Sequence, residues 1–130
     1  SAASDVYKRQ LLCYNQVINR KEELFMDGKT SVKYLQKYIK EKDYKPERKK
    51  DYFLKLSEEI GELAKAMRKD VLYKDNHSIK GTIDEEIWDV IYYALAIANC
   101  YDIDVESTIK VKEGINNKKY NTGIVFEENH

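Results

Sequence analysis

From Val90 to Cys100 the chain runs VIYYALAIANC without a charged residue. Read as a helix, this stretch is apolar on nearly every side, and such a helix has to be buried all round. A chain of 130 residues forms one domain with a small core. That core is too small to surround a helix by itself, so burial against a second subunit is expected. The segment also opens on two acids, Glu86 and Asp89. At 100° per residue they continue the stripe of Tyr93, Ala96, Ile97 and Cys100. Carboxylates in line with a buried stripe are not explained as a solvated face.

A second acidic segment precedes it: KLSEEIGELAKAM, with Glu58, Glu59 and Glu62. Acid-rich helix faces are ordinarily solvated, and this segment alone would carry no site. Its apolar stripe is read as Phe53, Leu56, Ile60, Leu63 and Met67, with Glu59 and Glu62 on the flank beside Leu63 and Ala66. Residues three or four apart share a helix face, about 5–6 Å apart at Cβ. If the two helices pack with these sides together, four or five carboxylates converge. A like-charge pair at about 4 Å costs roughly 4 kcal/mol at a dielectric near 20. Such a cluster calls for a cation, and hard oxygen donors select Mg²⁺, with Mn²⁺ as the alternative. Mg²⁺ bound in this way points to phosphate chemistry.

The remaining pattern is helical. Thr30 or Ser31 caps a helix from Val32 to about Lys42, with Val32, Leu35, Tyr38 and Ile39 on one face. Pro46 suits the first turn of a second helix, about Glu47 to Asp70. KDNHSIK is a polar loop, and Thr82 with Glu85 forms a capping box opening a third helix, Ile83 to about Tyr101. Asp104 caps a fourth, Val105 to about Tyr120, and GIVF at 123–126 is too short to seed a sheet. Short connections favour antiparallel neighbours, so the fold class is all-α, a four- to five-helix antiparallel bundle completed by oligomerisation.

Composition excludes several classes. Lysine plus arginine equal aspartate plus glutamate at 23 each, leaving no basic field for nucleic acid or an anionic membrane. No apolar run approaches the roughly 20 residues of a membrane span, and no signal peptide is recognisable. Cys13 and Cys100 make no disulfide framework, and a reducing cytoplasm fits. His77 lies in the polar loop and His130 at the end, so neither acidic motif has the histidine of a di-iron bundle. The opening SAASDVYKRQ resembles a translated sequencing adapter, and RKEELFM can be encoded by a ribosome-binding sequence followed by a start codon. Residues 1–25 are therefore expected to be a non-native leader, adapter-derived plus untranslated region, with the domain spanning 26–130.

EEIGEL at 58–63 and EIWD at 86–89, with 23 residues between Glu62 and Glu86, resemble the EExxE…ExxD signature of the MazG-like all-α nucleotide pyrophosphohydrolases. VKYLQKYI resembles that family's first helix and IANCYDIDVESTIKVKEGINNKKY its last, so the likeness covers about Ser31 to Tyr120. The resemblance implies that Glu59, Glu62, Glu86 and Asp89 bind Mg²⁺, with Glu58 a supporting acid that either stands behind the ligands or helps to orient water. It implies that Lys112, Asn116 and Lys119, which share one face of the last helix, approach the phosphates. Nucleoside triphosphates (NTP or dNTP) would be hydrolysed to monophosphate and pyrophosphate as nucleotide-pool house-cleaning, with Glu59 as the base that deprotonates the attacking water. Trp88, Tyr92 and Tyr93 stand beside the second motif and could stack on a base, although aromatics on a buried helix ordinarily serve the core. Trp88 replaces a small residue common in the family, and Lys119 an arginine, giving up bidentate phosphate geometry. The expected assembly is a homodimer or a dimer of dimers. The alternatives are a non-catalytic helical interaction module, or the same fold acting on phosphoribosyl-ATP or an alarmone.

Overall fold

The computed structural model describes residues 4–6, 8–10, 12 and 29–126. Residues 4–6, 8–10 and 12 are helical and exposed. The expectations for Met26 and most of 1–25, and the positions of Cys13 and His130, fall outside the described residues. From Val32 onward the chain is an all-α bundle of four helices, and no strand occurs among the described residues. They are α1 (Val32–Lys42), α2 (Lys49–Lys69), α3 (Ile83–Cys100) and α4 (Val105–Lys119). The sequence places all four within a few residues of these bounds. The one local difference is at Pro46, where a 3₁₀ turn, Pro46–Arg48, precedes α2 instead of forming its first turn.

The caps follow from local chemistry. Ser31, not Thr30, caps α1 by accepting from the Tyr34 N–H at 3.0 Å. Thr82 Oγ1 accepts from the Glu85 N–H at 3.2 Å. The returning Glu85 carboxylate reaches one residue further back than a standard capping box and accepts from the Gly81 N–H. Asp104 caps α4 through the Glu106 N–H. The polar loop is fixed at its ends: Ile83 N–H donates to Val71 O at 2.8 Å, and Tyr73 N–H to Asp84 Oδ2 at 2.9 Å.

Helices α2 and α3 form an antiparallel hairpin, and α1 lies across α3. Ile39, Tyr52, Leu95, Ala96 and Cys100 are the buried core, with Val32, Leu35, Tyr92, Tyr93, Ile97 and Val105 packed around them. Cys100 is thus a small buried hydrophobe, as expected of a cysteine on an apolar helix. The α2 stripe differs from expectation. Its inward side is Tyr52, Leu56, Glu59, Leu63 and Ala66, while Phe53, Ile60 and Met67 are exposed. The helix has two apolar sides, and α3 with α1 covers only one.

A polar clamp joins α1 to the α3–α4 turn. Gln36 Nε2 donates to Ile103 O at 2.8 Å and Asn99 Oδ1 at 3.2 Å, and its Oε1 accepts from the Val105 N–H at 3.1 Å. Asn99 Nδ2 donates back to Gln36 O at 2.9 Å. Both side chains are buried, so each lost partner would leave a polar group without water. Gln36→Leu is expected to lower unfolding stability by about 2–3 kcal/mol; urea denaturation measures this, and a loss near zero would show the clamp to be replaceable by packing.

Candidate functional site

The carboxylates meet where the α2–α3 hairpin turns its acids inward. Glu59, Glu86 and Asp89 each offer an oxygen within 4.8 Å of the others. Glu86 and Asp89 stand in the first two turns of α3, whose later turns give Leu95, Ala96 and Cys100 to the core while Ile87 and Ile91 stay exposed. Glu59 reaches them because it shares a face with Leu56, Leu63 and Ala66, which fix α2 against α3. Glu86 is only 7% exposed. Its Oε2 has no hydrogen-bond partner, which is costly for a buried anion.

Burial first, then a hydrogen bond to Glu59, then the charges of Glu59, Asp89 and Glu85 push Glu86 up to about 7. The hydrogen bond and the orphaned oxygen are reconciled by a proton. Two carboxylates cannot bond as anions, whereas protonated Glu86 can donate to Glu59. Burial and the charges of Glu59 and Glu85 also raise Asp89. Burial and like charge thus hold Glu86 and Asp89 toward their neutral forms, and a cation would offset the same cost. The donor set is all oxygen, with no His or Cys in the group, which suits a hard divalent ion. The orphaned oxygen and the close carboxylates fit such an ion.

Not every expected residue joins this group. Glu62 lies one turn beyond Glu59 and is exposed, and Glu58 is exposed with Oε2 3.2 Å from Lys55 Nζ. Lys112 and Lys119 are exposed on α4, which packs chiefly on α1. Asn116 donates to Glu113 of its own helix at 3.2 Å, and Lys119 Nζ lies 5.2 Å from the Tyr120 ring centre. Neither lysine is among the charges that shift Glu86 or Asp89.

The aromatics divide. Tyr92 and Tyr93 pack against the core, edge to face at 5.2 Å. Trp88 meets Tyr92 edge-on at 6.0 Å, and Lys42 Nζ lies over the Tyr92 ring at 5.3 Å. Tyr92 is therefore engaged on several sides, while Trp88 keeps 36% of its surface exposed. Lys55, not singled out from the sequence, stands four residues before Glu59; that spacing is the signal that could have found it.

Comparison with known proteins follows this geometry. A model of the MazG nucleotide pyrophosphohydrolase domain matches residues 47–121. One crystal structure of iMazG from Vibrio DAT 722, Ctag-iMazG, is 40% identical and covers 68% of this chain and 99% of that one, with a TM-score of 0.62. A second, Ntag-iMazG, is 41% identical and covers 71% and 99%, with a TM-score of 0.63. Comparison with curated proteins gives no match.

The raised Glu86 carboxyl gives a sign to pH dependence. Between pH 4.5 and about 7 the unfolded chain has released this proton while the folded chain keeps it. The metal-free protein should therefore lose stability as pH rises through that window and level off above it. Thermal melts in EDTA across this range check the slope, and Glu86→Gln should flatten it. An unchanged slope in that variant would assign the effect to other groups.

Proposed function

The chain belongs to the MazG nucleotide pyrophosphohydrolase family and is a hydrolase of phosphoric anhydrides, and from that premise we propose that it performs the Mg²⁺-dependent hydrolysis of nucleoside triphosphates, NTP or dNTP, to monophosphate and pyrophosphate. The observation that carries this reading is the meeting of Glu59, Glu86 and Asp89 around the unpartnered Glu86 oxygen. These three would hold the ion, and Glu62, one turn along α2, would join them by turning its exposed side chain inward. When bound, Mg²⁺ supplies charge neutralisation for the phosphates and lowers the pKa of water. Glu59 is half-buried, with a carboxylate oxygen within 4.8 Å of those of Glu86 and Asp89. It is placed to take the proton of the water that opens the α–β anhydride. Trp88, exposed and next to Asp89 in the chain, is the group offered to a base. The house-cleaning role and a cytoplasmic setting accord with this chemistry. Among the described residues no helix is long and apolar enough to cross a membrane.

With Mg²⁺, a panel of NTPs and dNTPs should yield monophosphate and pyrophosphate, resolved by ion exchange. Glu59→Gln should fold and lose activity by about a hundredfold or more. Mg²⁺ should also raise the melting temperature of the wild-type protein by ligand linkage. Silence across the panel, with no stabilisation by Mg²⁺, would favour a non-catalytic interaction module.

The assembly proposed is a homodimer or a dimer of dimers. Phe53, Ile60 and Met67 recur at seven-residue spacing on α2, and Ile87 and Ile91 lie on α3, all 42–60% exposed. A groove of about 480 Å³ lined by Lys49, Lys50, Phe53, Leu54, Ile97 and Tyr101 extends this surface toward the far end of the hairpin from the acids. Exposed apolar helix faces of this kind mark an association surface, and a self-complementary face closes as a twofold dimer. Light scattering should return at least twice the 15.3 kDa chain mass, and Ile91→Glu should return a monomer. A monomeric wild-type protein would end this part of the reading.

A further inference from the structure

The match to the family domain ends at residue 121, and an apolar run follows it. Helix α4 stops at Lys119, Asn121 and Gly123 take positive φ, and Thr122 Oγ1 accepts from the Ile124 N–H at 3.2 Å. Beyond that turn Ile124, Val125 and Phe126 stand 47–77% exposed. Single exposed apolar side chains need no explanation, but three in a row mark a contact. The sequence then continues with Glu127 and Glu128. The groove between α2 and α3 has the complementary character. Phe53, Leu54, Ile97 and Tyr101 give it apolar walls, and Lys49 and Lys50 line it with positive charge, Lys49 Nζ lying 4.4 Å from the Tyr101 ring centre. The chain's own tail does not reach it. Helix α4 packs chiefly on α1 and gives no residue to the groove. By Lys119 its 15 residues have carried the chain about 21 Å from Val105. The five residues on to Ile124 span at most about 18 Å, too short to return that distance.

We propose that Ile124 and Phe126 of one copy dock in the α2–α3 groove of a second copy, with Glu127 and Glu128 as the charge complement of Lys49 and Lys50. The proposal rests on the association reading above and adds to it a contact outside the matched domain. In an extended segment alternate side chains point the same way, so Ile124 and Phe126 present two apolar anchors about 7 Å apart while Val125 points away. Extended peptides are recognised in this manner, through pockets for alternate side chains. Each copy carries one tail and one groove, so a twofold pair satisfies both. Once the exposed faces of α2 and α3 have met, docking of the tail is intramolecular and its effective concentration is high.

The test uses the full chain with the photoreactive exchange Phe126→benzoylphenylalanine. Irradiation should give a covalent product that runs on a denaturing gel at twice the 15.3 kDa chain mass. Mass spectrometry of its tryptic fragments should place the bond in Asp51–Lys55, which holds Phe53 and Leu54, or in Gly81–Lys110, which holds Ile97 and Tyr101. In a second measurement, Phe126→Ser should weaken self-association by roughly tenfold to a hundredfold, the worth of one buried aromatic. Sedimentation velocity over a dilution series reads that change, and far-UV circular dichroism should show unchanged helix content because Phe126 is exposed. A photoproduct of single-chain mass, the absence of a bond to either fragment, or a Phe126→Ser variant that associates as tightly as wild type would overturn tail docking and leave the association reading standing. A monomeric wild type would overturn both.

Discussion

A carboxylate that cannot be solvated sets the terms for the rest of this molecule. Glu86 is buried with one oxygen unpartnered, beside Glu59 and Asp89. Nothing in the hydrophobic effect favours that arrangement; it persists because the apolar length of α3 fixes where its first turns must lie. A proton on Glu86 reduces the cost at low pH, and a bound cation would remove it at higher pH. A group raised toward neutrality by burial and like charge is the usual mark of a site built to bind something positive.

Much of the fold could be read from sequence because its signals were local. Ser31, Thr82 and Asp104 announce helix starts through side-chain oxygens that need only the next turn. The charge-free run from Val90 to Cys100 points to burial by composition, and Leu95, Ala96, Ala98, Asn99 and Cys100 are buried, whereas Ile91 stays 42% exposed in the single chain. The α2 stripe was harder, because that helix is apolar on two sides and sequence does not say which one its own chain covers. Tyr52, a polar-tipped residue on the side that won, was pulled inward by a hydrogen bond to Asp43 nine positions earlier, a contact invisible to periodicity. The bond satisfies the phenol and lets its ring enter the core.

The site was legible in the same uneven way. Three-residue spacing picks out Glu59, Glu86 and Asp89 because helix geometry turns spacing into direction. It does not say how far a long side chain turns toward solvent, and Glu58 and Glu62 both lie outward. The three polar residues of α4 share a face, as their spacing requires, but a face has no address until the helix is packed. Family likeness supplied that address for them, and the single-chain geometry does not.

The Gln36 clamp also has a consequence in time. The hairpin of α2 and α3 closes a short loop, whereas Gln36 must find partners 63 to 69 residues away. Loop closure costs more as the loop lengthens, and distant contacts form late. The acids are thus gathered by the part of the chain that folds most readily, and α1 is the piece that closes over it. Synthesis runs the other way. Helix α1 emerges from the ribosome before α3 and α4 exist, so its Val32, Leu35 and Ile39 wait in water, without a partner, for the residues that will cover them.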